Sequence, residues 1–320
     1  MIVIRTVSDR DEWENLFSEV EQPHMSQSWA YGDAVHAAVD WRLRRRPLDA
    51  GGWRPRRLAF ERDGSTVAIC QLLEKPLGGV RWAGLADRGP LFLGHEPSTE
   101  RMHEVYSALR TARRYFGLVL ILVPPLLDEP RNSAMLTQAG FRPRNVGGYR
   151  STRVDLSVDE ETMFQTLKSK WRNQLRAGRR SNPTMTVSSS REDAEWMIER
   201  HTQNMRDKGF TAPEPALVRA LYDAAPHDFL VFRAALDGES VAGLVAFTFG
   251  RAADYYIGWV SDAGRKGNVN NFLFWETALE LRRRGYRSFD LGGMRAGATE
   301  PFKTGMGGIE YQLIHNWLAF

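Results

Sequence analysis

An internal repeat constrains the fold of this chain more than any other sequence feature. The segment LAFERDGSTVAICQLL (58–73) is similar to FRAALDGESVAGLVAF (232–247), and each places an Asp-Gly pair between two apolar runs. An Asp-Gly pair in this setting is typical of a two-residue β-hairpin, because both central residues of that turn need a positive φ. The chain therefore contains the same predicted hairpin twice.

Two further matches follow each hairpin in the same order. MHEVYSALRTARRYFGLVLILV (102–123) matches NFLFWETALELRRRGYRSFDLG (271–292), and both predict an amphipathic helix followed by a strand. LTQAGF (136–141) then falls opposite TGMGGI (304–309). Three landmarks in one order predict two copies of a single α/β domain.

The predicted order of elements in each copy is hairpin, long helix, strand, short helix, strand. This order resembles the GNAT (Gcn5-related acyltransferase) fold. We therefore predict an α/β (α+β) protein of two tandem GNAT-like domains, residues 1–150 and 151–320, each a mixed twisted sheet flanked by helices. The polar, glycine-bearing segment 142–152 fits the connection between them. No sustained heptad pattern occurs between 181 and 271, so no coiled-coil arm is expected.

Composition indicates where such a protein works. A chain of 320 residues with a single cysteine, Cys70, can form neither an internal disulfide nor a cysteine-based metal cluster, which fits a reducing cytosol. The first residues lack a signal-peptide pattern, and the apolar run LVLILV (118–123) is far below the roughly 20 residues needed to cross a bilayer. The histidines show no metal-ligand spacing. We expect a cytoplasmic protein without membrane insertion and without a metal.

The charge of the chain is dominated by arginine. The net charge is +4, and only six of the 43 basic residues are lysines. Arginine binds phosphate and carboxylate through two parallel hydrogen bonds and keeps its charge when partly buried. Two interpretations stay open: a solvated, arginine-biased surface, or an anionic partner such as a phosphorylated substrate, RNA or a membrane surface.

The segment TLKSKWRNQLRAGRRSNP (166–183) is the strongest basic feature. It predicts a helix that Asn182-Pro183 ends, with Leu167, Trp171 and Leu175 on one buried stripe. A second stripe beside it, here called the basic ridge, consists of Lys168, Arg172, Arg176, Arg179 and Arg180. The ridge is either a solvated helix face or a surface that follows RNA phosphates.

The segment GATEPFKTG (297–305) comes within one residue of a phosphate-binding P-loop. Phe302 stands where the second glycine should be, and only seventeen residues follow Lys303, too few for the long helix that a P-loop requires. We therefore exclude nucleotide binding here. Lys303 is the last lysine of the chain, in an aromatic and glycine-rich setting that suits a compact charge in a confined site. The alternative is a surface lysine in a loop.

Asp290 precedes this segment at the predicted end of a strand. Gly292 and Gly293 follow it and allow a sharp turn or a close ligand, and ligands of open α/β sheets bind at strand ends. The carboxylate could accept a proton from an attacking ammonium. It could equally cap a turn or pair with an arginine such as Arg295.

Five segments in order resemble the FemABX family of aminoacyl-tRNA-dependent transferases, relatives of the GNAT superfamily. The resemblance covers most of the chain and rests on SQSWAYGDA (26–34), DRGPLF (87–92), the basic helix, DYYIGWVSD (254–262), and GYRSFDLGGM followed by PFKTGMGG. The family fold is a pair of GNAT-like domains, in agreement with the repeat.

The resemblance implies that an amine attacks the ester carbonyl of an aminoacyl-tRNA, giving an amide and free tRNA. Lys303 matches the family lysine that stabilises the oxyanion, and Phe302 matches the aromatic that positions the acceptor end of the tRNA. Asp290 is the candidate base, and the basic ridge is the candidate tRNA-binding surface. The implied substrate-binding residues are Trp29 and Arg88 within the first two motifs, Arg206 or Lys208, and Tyr255 or Tyr256.

The sequence thus predicts a tRNA-dependent aminoacyltransferase of cell-wall or antibiotic biosynthesis. Its partners would be aminoacyl-tRNA, as co-substrate, and an amine-bearing peptide or nucleotide-linked precursor; no cofactor is expected. The family's N-terminal lysine has no counterpart at 33–36, which argues against the usual UDP-linked peptidoglycan precursor.

Two alternatives remain. The first is an acyl-CoA-dependent N-acyltransferase, although GRKGNVNN (264–271) is an imperfect pyrophosphate loop. The second is a non-catalytic RNA-binding or scaffold module that uses the same basic ridge.

Overall fold

The structure is a computed structural model that describes residues 1–38, 52–77, 80–112, 119–144, 146, 148–210, 212–294, 297 and 299–320. The chain forms two compact units. Unit 1 comprises Met1–Tyr149 and Gln312–Phe320, and unit 2 comprises Arg150–Tyr311. The prediction assigned all of 151–320 to the second domain, whereas the last nine residues belong to unit 1.

The strands and helices are labelled in chain order. The strands are β1 (Val3–Val7), β2 (Arg54–Arg62), β3 (Ser65–Leu77), β4 (Val80–Asp87), β5 (Leu91–Phe92), β6 (Val119–Val123), β7 (Arg142–Arg144), β8 (Arg150–Asp155), β9 (Thr184–Ser188), β10 (Phe229–Leu236), β11 (Glu239–Phe249), β12 (Ala252–Val260), β13 (Ser288–Asp290), β14 (Ile309–Gln312) and β15 (Asn316–Ala319). The helices are α1 (Arg10–Ser18), α2 (Trp29–Ala37), α3 (Thr99–Ala112), α4 (Pro130–Gln138), α5 (Glu160–Thr166), α6 (Ser169–Arg180), α7 (Arg191–Lys208), α8 (Pro215–Ala224), α9 (Asp262–Lys266), α10 (Val269–Arg283) and α11 (Glu300–Gly305).

The two sheets have matching strand orders. The order is β1-β2-β3-β4-β6-β15-β7 in unit 1 and β9-β10-β11-β12-β13-β8-β14 in unit 2, with β5 pairing β3 beside the first path. Each sheet contains one parallel junction at the same place, between β4 and β6 and between β12 and β13. The predicted architecture, two mixed sheets flanked by helices, is confirmed.

One equivalent position of the two sheets is filled by strands from different places in the chain order. Strand β8 follows β7 directly in the chain but lies in the sheet of unit 2, between β13 and β14. Strand β15 follows β14 directly but lies in the sheet of unit 1, between β6 and β7. The sheet position that β8 fills in unit 2 is thus filled in unit 1 by β15, which explains why the tail belongs to unit 1.

The repeated hairpins have the same local geometry. Asp63 and Gly64 have φ of 52° and 80°, and Asp237 and Gly238 have φ of 50° and 82°. A positive φ at both central residues is the turn that the Asp-Gly pairs predict. Each hairpin also has a register shift at its first strand's end, between Phe60 and Glu61 in unit 1 and between Ala234 and Ala235 in unit 2.

Each sheet packs its helices over a separate apolar core. In unit 1 the core beneath α3 and α4 includes the fully buried Tyr106 and Phe141, together with Trp317 from the tail strand. In unit 2 the core beneath α6 and α10 includes the buried Trp171 and Trp275. The helices are thus held by their apolar stripes, as the repeat predicts.

The predicted helix over 166–183 is two helices. The backbone is extended at Leu167 and Lys168, where α5 ends and α6 begins. The Lys168 N–H donates to the carbonyl of Gly305 at 3.0 Å, which replaces a helical bond and allows the break. The predicted buried stripe is correct, because Leu167, Trp171 and Leu175 are all 2% exposed or less. The second helix ends at Arg180, just before Asn182, whose φ is 51°.

Among the described residues the longest helix, α7, has 18 residues and packs on β12. The prediction of a fold without a coiled-coil arm agrees with this architecture. Within the same residues no helix combines the length and the apolar character needed to cross a bilayer.

Candidate active site

Lys303 lies in the short helix α11 and is nearly enclosed by unit 2. The residue is 7% exposed. Its Nζ donates to the carbonyl oxygens of Gly292 at 3.0 Å and Gly293 at 2.9 Å, and it lies 5.2 Å from the centre of the Tyr255 ring. The ammonium is therefore held in one place by the turn that follows β13, and it is not a surface group in a loop.

This arrangement requires a glycine at position 292. Gly292 has a φ of 74°, and a Cβ there would lie 3.0 Å from the carbonyl oxygen of Tyr255 and 3.5 Å from Lys303 Nζ. Any side chain would strain the backbone and crowd the ammonium. The glycine pair of the sequence thus serves to bring backbone carbonyls to the lysine.

The ammonium keeps one donor for a ligand. Lysine has three N–H donors, and two are used by the glycine carbonyls. No third acceptor lies within hydrogen-bonding distance among the residues that the structure describes. Burial lowers the pKa of Lys303 to about 8, opposed by the nearby carboxylate of Asp290. A negative oxygen that develops beside Nζ would restore the stabilisation that burial removes.

Four aromatic rings form the apolar side of the site. The Phe302 ring lies 5.9 Å from Trp171 and 5.0 Å from Phe274, and Phe274 lies 5.0 Å from Tyr255. Burial raises the pKa of Tyr255 to about 12, so its hydroxyl stays neutral. Helices α6, α10 and α11 are thus joined through their aromatic side chains, and Lys303 follows Phe302 directly.

Asp290 is occupied by hydrogen-bond donors. Its Oδ1 accepts from Ser151 Oγ at 2.6 Å and from the Gly292 N–H at 2.8 Å, and its Oδ2 accepts from Tyr311 Oη at 2.6 Å. Arg153 Nε lies 3.9 Å from Oδ2. Both oxygens of the carboxylate are therefore already engaged by protein donors. The geometry favours the capping interpretation, in which Asp290 fixes the glycine turn; Arg295, the other expected partner, lies outside the described residues.

Two members of the basic ridge are neutralised by carboxylates of other elements. Lys168 Nζ lies 3.5 Å from Glu310, and Arg179 lies 3.0 Å from Glu276. The sequence shows no acid on the helix itself, but the fold supplies these two from β14 and α10.

The other members of the ridge make no ion pair with a described residue. Arg172 and Arg176 place their guanidinium carbons 5.5 Å and 5.7 Å from the centre of the Phe164 ring, and Arg180 is exposed. Since the Lys168 N–H bonds to Gly305, the ridge begins at the end of the helix that carries Lys303. The unpaired charge therefore lies along α6, leading away from α11.

Among the described residues no hydrogen bond or ring contact joins Lys303 to the remaining candidates in unit 2. Tyr256 is the extra residue of a register shift in β12, one position beyond Tyr255. Arg206 and Lys208 are exposed in the last turn of α7. Burial and the nearby Arg265 lower the pKa of Lys208. Of these predicted substrate-binding residues the structure brings only Tyr255 against the lysine.

The two candidates in unit 1 are held by aromatic stacking. Arg88 has a φ of 57°, and its guanidinium lies 3.9 Å from the centre of the Tyr149 ring. Trp29 is the first residue of α2, and the Arg57 guanidinium lies 3.4 Å from the centre of its ring.

The sequence did not indicate the groups that hold Asp290. Ser151 is 139 residues away in the chain, and Tyr311 lies in a predicted strand whose partner the alternation pattern does not identify. Trp171 was predicted only as a core residue, and its contact with Phe302 depends on how α6 meets α11. Within the described residues no group of three or more histidine, cysteine or acidic side chains could hold a metal ion.

Comparison with known proteins agrees with this geometry. Residues 166–304 match the family described as "Acetyltransferase (GNAT) domain", a range that includes α6, the glycine turn and Lys303. No curated protein matches the chain.

Solved structures resemble the whole chain at low sequence identity. FemX superposes with a TM-score of 0.79 at 14% identity, covering 99% of this chain and 96% of that one. L-PGS from Bacillus licheniformis gives 0.56 at 17% identity, covering 98% and 91%. A tandem GNAT protein from the clavulanic acid biosynthesis pathway gives 0.54 at 10% identity, covering 100% and 98%.

The fold and the domain match are those of the GNAT superfamily, and they support an acyltransferase. Within that superfamily the chain has a FemABX-like fold, so the resemblance seen in the sequence motifs is confirmed.

Proposed function

We propose that the protein is an aminoacyl-tRNA-dependent aminoacyltransferase that forms an amide bond on an amine-bearing peptide or nucleotide-linked precursor. The observation that carries the proposal is the position of Lys303. Its buried ammonium donates two N–H groups to glycine carbonyls and keeps one without an acceptor among the described residues, and it lies beside the aromatic rings of the site. No cofactor is needed, because the ester bond of the aminoacyl-tRNA is already activated. The reaction would occur in the cytoplasm, where charged tRNA is found.

In the proposed reaction the acceptor amine attacks the ester carbonyl carbon, and the carbonyl oxygen becomes negative in a tetrahedral intermediate. Lys303 Nζ donates its remaining N–H to that oxygen, while Gly292 and Gly293 prevent the ammonium from moving. One well-placed donor of this kind contributes about 3–4 kcal/mol to the transition state. The intermediate then expels the ribose hydroxyl of the tRNA, and the amine loses its extra proton.

The basic ridge supports tRNA as the acyl donor. The phosphates of an acceptor stem would follow Arg172, Arg176 and Arg180 along α6. The terminal ester would then lie at the ridge's N-terminal end, where Trp171 contacts Phe302. Such phosphate contacts depend strongly on salt.

The loop before α10 argues against acyl-CoA as the donor. A pyrophosphate cradle needs free backbone N–H groups. Here the N–H groups of Gly264 and Arg265 donate to Ser261, and those of Gly267 and Asn268 donate to Ala263 and Arg265. Four amides of the expected cradle are therefore already used within the loop.

The proposal is tested by supplying the two donors separately. Bulk tRNA charged with a mixture of radiolabelled amino acids is incubated with the protein and lysine-containing dipeptides, without ATP. We expect binding of charged tRNA on filters and transfer of label into the dipeptide fraction. Failure to retain charged tRNA, together with micromolar binding of CoA by calorimetry, would reject the proposal in favour of the CoA-dependent alternative.

A further inference from the structure

A polar cavity of about 590 Å³ is lined only by residues of unit 1. Its volume is in the range of small-molecule sites. It lies between the end of β1, the beginning of β2 and the end of β3, beneath the first turn of α2. The charged and aromatic side chains that line it are Trp29, Arg54, Arg56, Arg57 and Glu74.

The lining carries more positive than negative charge. Three arginines and one glutamate line it; Arg56 Nε lies 2.8 Å from Glu74 Oε1, whereas Arg57 pairs with Asp33 of α2. Arg54 is exposed and makes no ion pair within the described part of the chain. The lining therefore carries a net positive charge, and Arg54 is its cation without an ion pair to a described residue.

Arg57 is the fixed cation of this cavity. Its side chain is 7% exposed, and it donates from Nη2 to Asp33 Oδ1 at 2.8 Å and to the Trp29 carbonyl at 2.9 Å. Its Nε is buried and has no partner among the described residues. Burial lowers the pKa of Arg57, and Asp33 only partly opposes this. A guanidinium placed in this way is oriented before a ligand arrives, and its Nε–H is the donor that remains for one.

We infer that this cavity binds a small multivalent oxyanion of the phosphate or carboxylate class, held by Arg54, Arg56 and Arg57. The planar guanidinium groups match the geometry of phosphate and carboxylate oxygens. The hydroxyls of Thr6 and Ser8 also line the cavity and can donate to such an anion. The inference concerns ligand binding by unit 1 and holds whether or not unit 2 transfers an aminoacyl group.

Two changes of opposite sign test the inference. Calorimetry at about 50 mM salt measures binding of inorganic pyrophosphate and of citrate to the full chain, without tRNA. Arg54→Gln removes an exposed positive charge and should weaken binding about fivefold. Glu74→Gln removes the single lining carboxylate with little change of shape and should strengthen binding about threefold. Because Arg54 is exposed, its replacement leaves the core intact.

Arg62→Gln is the matched control, since Arg62 lies at the opposite end of the same strand and pairs with Glu104 at 3.3 Å. It should change the affinity by less than the error of the measurement. Tighter binding of pyrophosphate supports a phosphate ligand, and tighter binding of citrate supports a carboxylate ligand. Absence of binding by both anions at millimolar concentration overturns the inference. So does an equal loss in Arg54→Gln and Arg62→Gln, or weaker binding in Glu74→Gln.

Discussion

Unit 1 and unit 2 have the same scaffold but different residues at the place where the candidate chemistry occurs. The matched segments 136–141 and 304–309 put Met135 opposite Lys303. Their shared Gly140 and Gly308 have φ of 84° and 90°, which supports the alignment. Met135 is 2% exposed within the core of unit 1. The position that holds an ammonium in unit 2 therefore holds a thioether in unit 1.

The neighbouring strands differ in the same way, with an apolar residue pair in unit 1 and a polar one in unit 2. Ile121 pairs with Leu318 between β6 and β15, whereas the equivalent Asp290 pairs with Arg153 between β13 and β8. The apolar pair is partly buried, beside the core residues Leu122 and Trp317, whereas Asp290 of the polar pair accepts from the N–H of Gly292 in the glycine turn. The duplicated fold is thus stable with either set, and the polar set reflects the demands of a site rather than of the fold.

Placing the lysine of unit 2 at the matched position of unit 1 should have the largest effect, which is on stability. Met135→Lys would bury an ammonium without the glycine carbonyls that accept from Lys303, at an effective cost of several kcal/mol. Chemical denaturation of the full chain measures this as loss of the transition of unit 1. Met135→Leu, which conserves volume, should cost less than about 1.5 kcal/mol. Equal stability of the two variants would show that the matched positions are not structurally equivalent.

The reverse exchange, Lys303→Met, should abolish most of the catalysis. Loss of one charge-stabilising donor lowers turnover about a hundredfold or more, while the Michaelis constant changes little. Initial rates of label transfer from charged tRNA provide the measurement. Lys266→Met, at an exposed lysine of the same unit, is the control and should retain full activity. Unchanged turnover in Lys303→Met would remove the lysine from the mechanism.

The same exchange should make the fold more stable, by an amount that depends on pH. Lys303 has a pKa of about 8 in the folded protein and 10.5 as the reference value. Between these values the unfolded chain binds more protons, so the stability of the wild type rises with pH. Lys303→Met should therefore gain about 1–2 kcal/mol near pH 7, after loss of two hydrogen bonds. The gain should be constant below pH 8 and shrink towards pH 10.5 in denaturation curves.

Replacing Asp290 distinguishes a structural role from proton transfer. Asp290→Asn keeps the shape but cannot accept from Ser151, Gly292 and Tyr311 together. If the residue only fixes the turn, turnover should fall about tenfold and the melting temperature should also fall. A loss of a thousandfold or more at unchanged stability would instead identify a general base. Ser151→Ala, which removes one donor, should reproduce the smaller effect in part.

The smallest expected effect concerns the basic ridge of unit 2. Arg176→Gln removes a cation without an ion pair, so tRNA affinity should fall about threefold, and the salt slope by about one. The control removes the neutralised pair together, as Arg179→Gln with Glu276→Gln, and should leave affinity unchanged. Filter binding between about 50 and 200 mM salt measures both. Equal slopes for wild type and Arg176→Gln would exclude the ridge.

Local sequence signals predicted the parts of the molecule that local physics determines. Asp63-Gly64 and Asp237-Gly238 specify their turns through backbone preference, and Leu167, Trp171 and Leu175 specify a buried stripe through spacing. The break at Lys168 could not be predicted, because it depends on a bond to Gly305 across the fold. The hydrogen bonds of Asp290 likewise join strands whose pairing no local period encodes.

The return of β15 to unit 1 has a consequence for how this chain can be divided into fragments. A fragment ending at Tyr149 would lack β15, an interior strand of unit 1. A fragment starting at Arg150 would carry β15 in excess. Removing Gln312–Phe320 would expose the edges of β6 and β7 and leave the core of unit 1 without Trp317. The first fragment therefore lacks a strand of its own sheet, whereas the second contains the whole continuous segment of unit 2. Unit 1 is thus assembled from both ends of the chain, so truncation at either terminus removes part of the same unit.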